Sequence, residues 1–268
     1  MTDENILVET DERIGFLTLN RPEKKNALIG SMRETIREIV SLWSSDPLIR
    51  VIVIRGTEGS FCAGGDVGYM AQLALDQEID TFAEILRSGK QTVLALRRCP
   101  KPILASIDGP AFGAGMNLAL ACDLRIASES ARFAQSFVRV GLAPDWGGSL
   151  LLRELIGTAR ATELIYTARA LDASEALRLG ILNQVVSASE LESTTRTWAD
   201  ELSRSPWRSL AESKRLLHPI SHLEKALDLE IEAQLNCFQS PDAREGFQAF
   251  IDKRPAIFAS EAGTLDPS

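Results

Sequence analysis

PILASIDGPAFGAGMNLALACDLRI, residues 102–126, is the stretch of sequence that decides the fold. Its pattern predicts a buried strand that runs through a glycine-rich turn directly into a hydrophobic helix. The first backbone N–H groups of a helix have no partners within it, so they can bind a developing negative charge. We therefore expect an anion-binding turn at the start of this helix.

A second glycine-rich loop, FCAGGDV at Phe61–Val67, directly follows the buried-strand sequence VIVIR at Val51–Arg55. By residue type alone, each loop could be no more than a tight turn. Two such loops, each at the end of a buried strand, could instead supply the two halves of one anion site. Together they predict an oxyanion hole.

The composition limits the class of protein. The chain has 268 residues, 45% of them hydrophobic, and a formal net charge of −8. A chain of this length can bury a full core as one large domain, with or without a small appendage. The acidic balance and the lack of a long Lys/Arg cluster argue against nucleic acid or an anionic membrane as the partner, which leaves small molecules or proteins.

The first residues, the apolar runs, the histidines and the cysteines indicate the cellular compartment and whether a metal is expected. The first residues, MTDENILVET, lack the basic-then-apolar order of a signal peptide, and no apolar run approaches the roughly 18 residues of a membrane span. His218 and His222 flank Pro219, which interrupts the helix that would bring them together on a zinc ion. We expect a cytoplasmic protein with no metal and with four reduced, scattered cysteines: Cys62, Cys99, Cys122 and Cys237.

Strand and helix patterns alternate over the first part of the chain, which predicts an α/β fold with parallel strands. The helix predicted over Met32–Trp43 starts with a capping box of Ser31 and Glu34. Two more predicted helices end at glycines, Gly157 and Gly180. The predicted strands are Ile14–Leu19, Val51–Ile54, Ile103–Ile107, Leu124–Ala127 and Ile181–Val186.

From about Leu191 onward the pattern is helical only, with Pro206, Pro219 and Pro241 between the helices. We therefore predict a βα core over residues 1–190 that holds the site, followed by a helical region over residues 191–268.

Six segments, in register over nearly the whole chain, resemble the crotonase (enoyl-CoA hydratase/isomerase) superfamily: LNRPEKKNAL, FCAGGDV, PILASIDGPAFGAGMNLALACDLRIA, FAQSFVRVGLAPDWGGS, ALDASEALRLGILNQVV and REGFQAFIDKRP. The resemblance implies a spiral of ββα turns and a C-terminal helical region used in trimerisation, in a homotrimer or a dimer of trimers. It also implies an acyl-CoA thioester as the ligand. Coenzyme A then enters as part of the substrate, and no separate cofactor is expected.

In that superfamily two peptide N–H groups hold the thioester oxygen, and they carry over onto Gly65 and Ala114. The physical logic agrees. Removal of a proton from carbon 2 of a thioester makes an enolate, and donors already aimed at its oxygen favour the enolate over the neutral substrate.

Hydratases of this superfamily use two glutamates, and the corresponding positions here are Asn117 and Phe137. An amide is not a usable base near neutral pH, and a phenyl ring offers neither a proton nor a polar surface for the attacking water. Ordinary hydration is therefore disfavoured. Asn117 could still donate to the substrate, or it could be a satisfied polar residue of its helix.

Asp145, in GLAPDWGG, is the predicted catalytic residue. This loop resembles the isomerase branch that includes epoxyphenylacetyl-CoA isomerase of phenylacetate catabolism, in which an aspartate after a proline is the acid/base residue. One base serving carbons 2 and 4 needs a dry pocket, which Phe137, Leu142 and Trp146 would line. The alternative is that Asp145 only caps the helix that follows it.

The resemblance also implies contacts with coenzyme A. Arg21, Lys24 and Lys25 lie together in an acidic protein, either for phosphate groups or as solvated surface charges. Gly68 stands where the family often has a lysine, which puts one nucleotide contact in doubt. The other implied contacts lie around Ala27, Leu28, Ala63, Asp66 and Val67, mainly through the backbone.

Three functions are compatible with the sequence. The first is an acyl-CoA isomerase that moves a double bond, as in fatty acid metabolism, or rearranges an epoxide. The second is a dehalogenase or thioester hydrolase with Asp145 as nucleophile, which is weakened because both histidines lie beyond residue 217. The third is a CoA-binding paralogue without turnover.

Overall fold

The computed structural model describes residues 4–258, which form ten α-helices and nine strands. The strands are β1 (Ile6–Asp11), β2 (Ile14–Leu19), β3 (Val51–Gly56), β4 (Ile103–Ile107), β5 (Pro110–Phe112), β6 (Leu124–Ser128), β7 (Arg132–Ala134), β8 (Leu171–Asp172) and β9 (Gln184–Val186). The helices are α1 (Met32–Ser45), α2 (Val67–Leu75), α3 (Ile79–Arg98), α4 (Ala114–Ala121), α5 (Gly148–Thr167), α6 (Ala173–Arg178), α7 (Leu191–Arg204), α8 (Trp207–Leu217), α9 (Ile220–Phe238) and α10 (Pro241–Ile251).

Six of the strands form the main sheet, in the order β1-β2-β3-β4-β6-β9. Only β1 and β2 pair antiparallel, and all other neighbours pair parallel. Helix α7 packs on one face of the central strands, and the main hydrophobic core lies on the other. Because both faces are covered, these strands are continuous hydrophobic runs, which is why they were predictable from the sequence.

The chain repeats one pattern as it winds. A main-sheet strand leads to a short extended segment of a second layer, and a helix follows: β3, Cys62, α2; then β4, β5, α4; then β6, β7, α5. Strands β5, β7 and β8 form the second sheet, and the parallel bridge between Cys62 and Ala111 extends it. This is the spiral of ββα turns that the resemblance to the crotonase superfamily implies.

Two details of the prediction are wrong, and one strand was missed. The Ser31 side chain forms no capping hydrogen bond, because its ψ of 0° is not the extended geometry of an N-cap. Glu34 instead accepts a hydrogen bond from the Ser88 hydroxyl of α3. Strand β9 begins only at Gln184, because the N–H groups of Ile181 and Leu182 bond to the end of α6. Strand β1 was not predicted, since five of its six side chains are exposed at the sheet edge.

The two glycine-terminated helices are confirmed. Gly157 has φ 77° and ψ 160° and breaks α5 at the predicted end, and Gly180 follows α6 with φ 82°. Both values lie outside the region that other residues adopt readily.

Helices α7–α10 are the described elements after β9, and α9 packs against α3 and α5. The ring of Phe238 in α9 stacks on Phe82 in α3 with the ring centroids 3.9 Å apart. The predicted division at residue 190 and the trimerisation role stay predictions, and residues 1–3 and 259–268 of the two predicted regions lie outside the described residues. Between residues 4 and 258, no helix has the length and hydropathy needed to cross a bilayer.

Candidate active site

The two glycine-rich loops are bonded to each other. The Cys62 N–H donates to Pro110 O at 3.0 Å, and the Phe112 N–H donates to Cys62 O at 3.0 Å. A methyl group built on Gly115 would lie 2.1 Å from Cys62 O, so only glycine permits this approach of the backbones. The contacts fix the start of α4 relative to the first loop.

The predicted oxyanion donors lie where these loops meet. Ala114 is the first residue of α4, and a methyl group built on Gly64 would lie 3.6 Å from Ala114 N. Neither the Gly65 N–H nor the Ala114 N–H donates a hydrogen bond to any of residues 4–258. Both are therefore available as donors to a ligand oxygen, and their role in catalysis stays a prediction.

Asp145 lies in the loop that enters α5. Its Oδ1 is inaccessible to solvent and has no hydrogen-bond partner among the described residues. Burial, together with the nearby Glu230, raises the pKa of Asp145 to about 8, although the Arg33 guanidinium acts in the opposite direction. The carboxyl group is therefore mostly protonated at pH 7 and can both give and take a proton near neutrality.

Asp145 does not cap α5. The N-cap residue is Gly147, which has no side chain, and Asp145 Oδ1 accepts no hydrogen bond from the described residues. Glu230 of α9 does so: its Oε2 accepts from the Gly147 N–H at 2.7 Å, and its Oε1 accepts from the Ser149 N–H at 2.9 Å. A carboxylate at a helix N-terminus stabilises the helix, so the helix-cap explanation of Asp145 is unnecessary.

Buried polar side chains from two other helices hold the Asp145 loop in place. Asn117 Nδ2 of α4 donates to Asp145 O at 2.8 Å, and Gln234 Nε2 of α9 donates to Ala143 O at 2.5 Å. Asn117 lies three residues after Ala114, so this bond ties Asp145 to the helix that carries a predicted oxyanion donor. Bonds from side-chain amides to backbone carbonyls thereby fix the Asp145 loop relative to the start of α4.

The contacts of Asn117 are structural. Besides its bond to Asp145 O, its Oδ1 accepts from Gln135 Nε2 at 2.7 Å, and the residue is fully buried. A methyl group on Gly148 would lie 2.3 Å from Asn117 Nδ2, so α5 packs directly on the amide. A contact between Asn117 and the substrate stays a prediction.

The three residues predicted to line the pocket are all buried. Phe137 and Leu142 belong to a hydrophobic cluster shared with α2, α3 and α10, and a methyl group on Gly113 would lie 3.6 Å from Phe137 Cζ. Trp146 has φ 53°, a strained value for a bulky residue, and its indole lies so close to Gly89 of α3 that no side chain would fit there. Trp146, the residue after Asp145, belongs to the main hydrophobic core, and burial in such surroundings disfavours the charged form of a carboxyl group.

The predicted coenzyme A contacts fall into two groups. Lys24 and Lys25 are exposed, whereas Arg21 forms an ion pair with Asp66 at 2.7 Å. The N–H groups of Leu28, Ala63 and Asp66 all donate within the protein. The carbonyl groups of Leu28 and Asp66 each accept one hydrogen bond there, which leaves a ligand the Ala63 carbonyl and one lone pair on each of the other two. Burial would raise the pKa of Asp66, but hydrogen bonds from Arg21 and from the Tyr69 N–H outweigh it and lower the pKa.

Asp66 also caps α2, whose first residue is Val67, and Ala27 is buried beside Leu28. Binding of coenzyme A by any of these residues stays a prediction. Among residues 4–258, no group of three or more His, Cys, Asp or Glu side chains is arranged to hold a metal ion.

Sequence reasoning missed Glu230 and Gln234, although α9 carries a signal. Its buried residues Leu223, Leu227, Glu230 and Gln234 follow a spacing of four, three and four, so the two polar residues share the apolar face. A polar residue on such a face must find buried partners, and here the partners are backbone groups of the Asp145 loop.

The spiral of ββα turns and the two hydrogen-bonded glycine-rich loops define a crotonase-like protein. The sequence matches the family "Enoyl-CoA hydratase/isomerase" over residues 9–261. It is 33% identical to a crotonyl-CoA hydratase of Syntrophomonas wolfei subsp. wolfei, over 97% of this chain and 100% of that protein. It is 34% identical to a trans-2-decenoyl-(acyl-carrier-protein) isomerase of Streptococcus mutans, over 97% of this chain and 100% of that protein.

The fold is similar to the crystal structure of an enoyl-CoA hydratase from Mycobacterium avium subsp. paratuberculosis K-10, with a TM-score of 0.86 and 29% identity over 96% of this chain and 99% of that one. The chain belongs to the enoyl-CoA hydratase/isomerase family of the crotonase superfamily. Its relatives carry the names of both hydratases and an isomerase, so family membership does not choose between the two reactions.

Proposed function

We propose that this protein is an acyl-CoA isomerase that uses Asp145 as its only acid/base group. The observation that carries the proposal is the Asp145 carboxyl: its Oδ1 is buried and unpartnered, and its pKa is raised to about 8 by burial first and Glu230 second. A group whose pKa lies near the working pH is suited to general acid–base catalysis.

The proposed reaction converts a 3-enoyl-CoA into a 2-enoyl-CoA. The ionised Asp145 carboxylate takes a proton from carbon 2, and the electron pair moves onto the thioester oxygen. The Gly65 and Ala114 N–H groups stabilise the resulting enolate. The protonated Asp145 returns the proton at carbon 4, the double bond moves between carbons 2 and 3, and the carboxylate is regenerated.

Residues 117 and 137 support isomerisation over hydration. By the family resemblance, hydratases carry glutamates at these two positions. Here the Asn117 side-chain amide is hydrogen-bonded to Gln135 and to the Asp145 backbone carbonyl. Phe137 places a hydrocarbon ring beside Gly113. Neither side chain can orient and deprotonate a water molecule.

The proposal extends to substrate and assembly. An epoxyacyl-CoA such as epoxyphenylacetyl-CoA is a second substrate class, because the Asp145 loop resembles the isomerase branch that includes epoxyphenylacetyl-CoA isomerase. Coenzyme A arrives as part of the substrate. The reaction needs no separate redox cofactor, because isomerisation neither oxidises nor reduces the substrate overall. We propose a homotrimer or a dimer of trimers in the cytoplasm, to be checked by light scattering of the purified protein.

A substrate panel tests the proposed reaction. Purified protein is given hex-3-enoyl-CoA, hex-2-enoyl-CoA and epoxyphenylacetyl-CoA, and the products are followed by ultraviolet absorbance and mass. We expect hex-3-enoyl-CoA to be converted into the conjugated 2-enoyl thioester with no gain of mass. Rapid addition of water to hex-2-enoyl-CoA, at a rate equal to or above isomerisation, would contradict the proposal.

The pH dependence of isomerisation follows from the same carboxyl group. The ionised form is the base, and the pKa of Asp145 is about 8. The value of kcat/KM for hex-3-enoyl-CoA, which reports on the free enzyme, should therefore rise about tenfold per pH unit below this pKa and level off above it. A profile that is flat, or that falls as the pH rises from about 6 to 8, would exclude Asp145 as the base.

A further inference from the structure

Arg33 of α1 is a buried cation without a partner. Only 6% of the residue is exposed, its Nε is inaccessible and unbonded, and its side chain forms no hydrogen bond or ion pair with any of residues 4–258. The other buried basic side chains differ. Arg97 donates to Leu120 O, Arg125 donates to Ile181 O and Cys122 O, and Lys214 binds Asp123.

Arg33 lies next to the proposed reaction centre. The charged and titratable groups near its guanidinium are Asp145, Glu34, Cys62 and Tyr69. Cys62 belongs to the loop that carries Gly65, so the cation lies near both that loop and the Asp145 loop. The Thr92 hydroxyl donates to Arg33 O at 3.0 Å, which holds this turn of α1 against α3.

Neither neighbouring carboxyl group neutralises Arg33. Glu34 accepts a hydrogen bond from Ser88, and the Asp145 carboxyl lies beyond 4.0 Å and is mostly protonated at pH 7, since its pKa is about 8. A buried guanidinium is costly unless acceptor oxygens surround it, and its planar fork of donors matches a carboxylate. The missing acceptor is therefore a group that a ligand brings.

The position of Arg33 selects which part of the ligand carries that group. The exposed Lys24 and Lys25 precede Leu28, on the side expected for the coenzyme A phosphates. Arg33 instead has Asp145, the proposed acid/base group, as the first of its electrostatic neighbours. In the proposed reaction Asp145 acts on carbons 2 and 4 of the acyl chain. An anion bound at Arg33 would be part of the acyl chain.

We propose that Arg33 binds a carboxylate at the far end of the acyl chain, so that the preferred ligands are acyl-CoA thioesters of short dicarboxylic acids. As a statement about substrates, this inference rests on the proposed isomerase function. As a statement about binding, it does not depend on turnover, and it is tested by binding alone.

The test compares two saturated ligands that differ only at the end of the chain, adipoyl-CoA and hexanoyl-CoA, by titration calorimetry. The whole protein should bind adipoyl-CoA about 10- to 100-fold more tightly, the range of a charge-assisted hydrogen bond. Arg33→Met should lose this preference, and Arg33→Lys should retain only part of it. Arg37→Met, which removes the same charge one helical turn further along α1, should keep the full preference.

Thermal unfolding separates a ligand-binding role from a structural one. Removal of a buried cation that has no partner should leave the melting temperature of the ligand-free Arg33→Met protein unchanged or higher. A lower melting temperature, with the adipoyl-CoA preference intact, would assign Arg33 a structural role and overturn the proposal.

The outcomes distinguish the two proposals. Equal affinity of the unmodified protein for adipoyl-CoA and hexanoyl-CoA would overturn the role of Arg33, even where hex-3-enoyl-CoA is isomerised. A preference for adipoyl-CoA that Arg33→Met abolishes would support the role of Arg33, even where no thioester of the panel is isomerised. If Arg33→Met does not fold, Arg33→Lys decides, because a full preference in that variant would contradict bidentate binding.

Discussion

Replacing Asp145 with asparagine is expected to reduce isomerisation of hex-3-enoyl-CoA by about 10²- to 10⁴-fold, the range for loss of a general acid–base group. Asparagine has nearly the same shape but cannot take a proton from carbon 2 or return one at carbon 4. Because the Asp145 contacts to Asn117 and Gly148 are made by its backbone carbonyl, the loop should keep its conformation. The rate is followed by the absorbance of the conjugated product.

The matched control for this prediction is Asp228→Asn, the same substitution at an exposed residue of α9. We expect Asp228→Asn to turn over at the normal rate, and Asp145→Asn to bind hexanoyl-CoA with an affinity close to that of the unmodified protein. The explanation fails if a folded Asp145→Asn protein isomerises within tenfold of the normal rate. A parallel loss of binding and turnover would indicate that Asp145 acts on the fold of the site and not on the proton.

Replacing Ala114 with proline is the second large effect. Proline has no N–H, and the first residue of a helix is the position at which it is tolerated best. Ala114 is the first residue of α4, and its N–H has no partner within residues 4–258. Loss of one oxyanion donor should lower kcat by about 10²- to 10³-fold.

Ala114→Ser, which keeps the N–H, is the control for Ala114→Pro. It should retain most of the activity, and circular dichroism with thermal melting should show that both variants fold. A folded Ala114→Pro protein with the kcat of Ala114→Ser would exclude this N–H as an enolate donor. An effect on KM alone would indicate that the N–H binds the substrate and the enolate equally.

The parts of the fold that could be predicted are those that depend on short stretches of sequence, such as hydrophobic runs and glycine positions. Strands such as β3 and β4 are continuous hydrophobic runs because helices cover both faces of the sheet. The two glycine-rich loops were predictable because each follows such a strand. The break at Gly157 was predictable because glycine commonly ends a helix.

The parts that were missed depend on contacts between distant elements. Glu230 lies 85 residues after Asp145 in the chain, and only the packing of α9 against α5 brings it to the start of that helix. Arg33 lies in a helix whose sequence alternates charged and apolar residues, where an arginine is usually a surface residue. Its burial arises from α3 and from the two loops that pack around the start of α1.

These missed residues change the physical account of the site. The sequence predicts one carboxyl group, Asp145, in a dry pocket. The structure adds the groups that adjust the pKa of this carboxyl and hold its loop in place. Burial is the main cause of the raised pKa of Asp145, Glu230 raises it further, and Arg33 lowers it. Asn117 and Gln234 hold the loop in place. The two charges that adjust the pKa of the buried Asp145 therefore lie on α1 and α9, outside the motif that contains it.

The most direct measurement of the central claim is a crystal structure with hexanoyl-CoA bound. The account predicts the thioester oxygen about 2.7–3.1 Å from both the Gly65 and Ala114 nitrogens, with the Asp145 carboxyl within about 3.5 Å of carbon 2 or carbon 4 of the acyl chain. An acyl chain that binds elsewhere, or an Asp145 carboxyl turned away from both carbons, would contradict it.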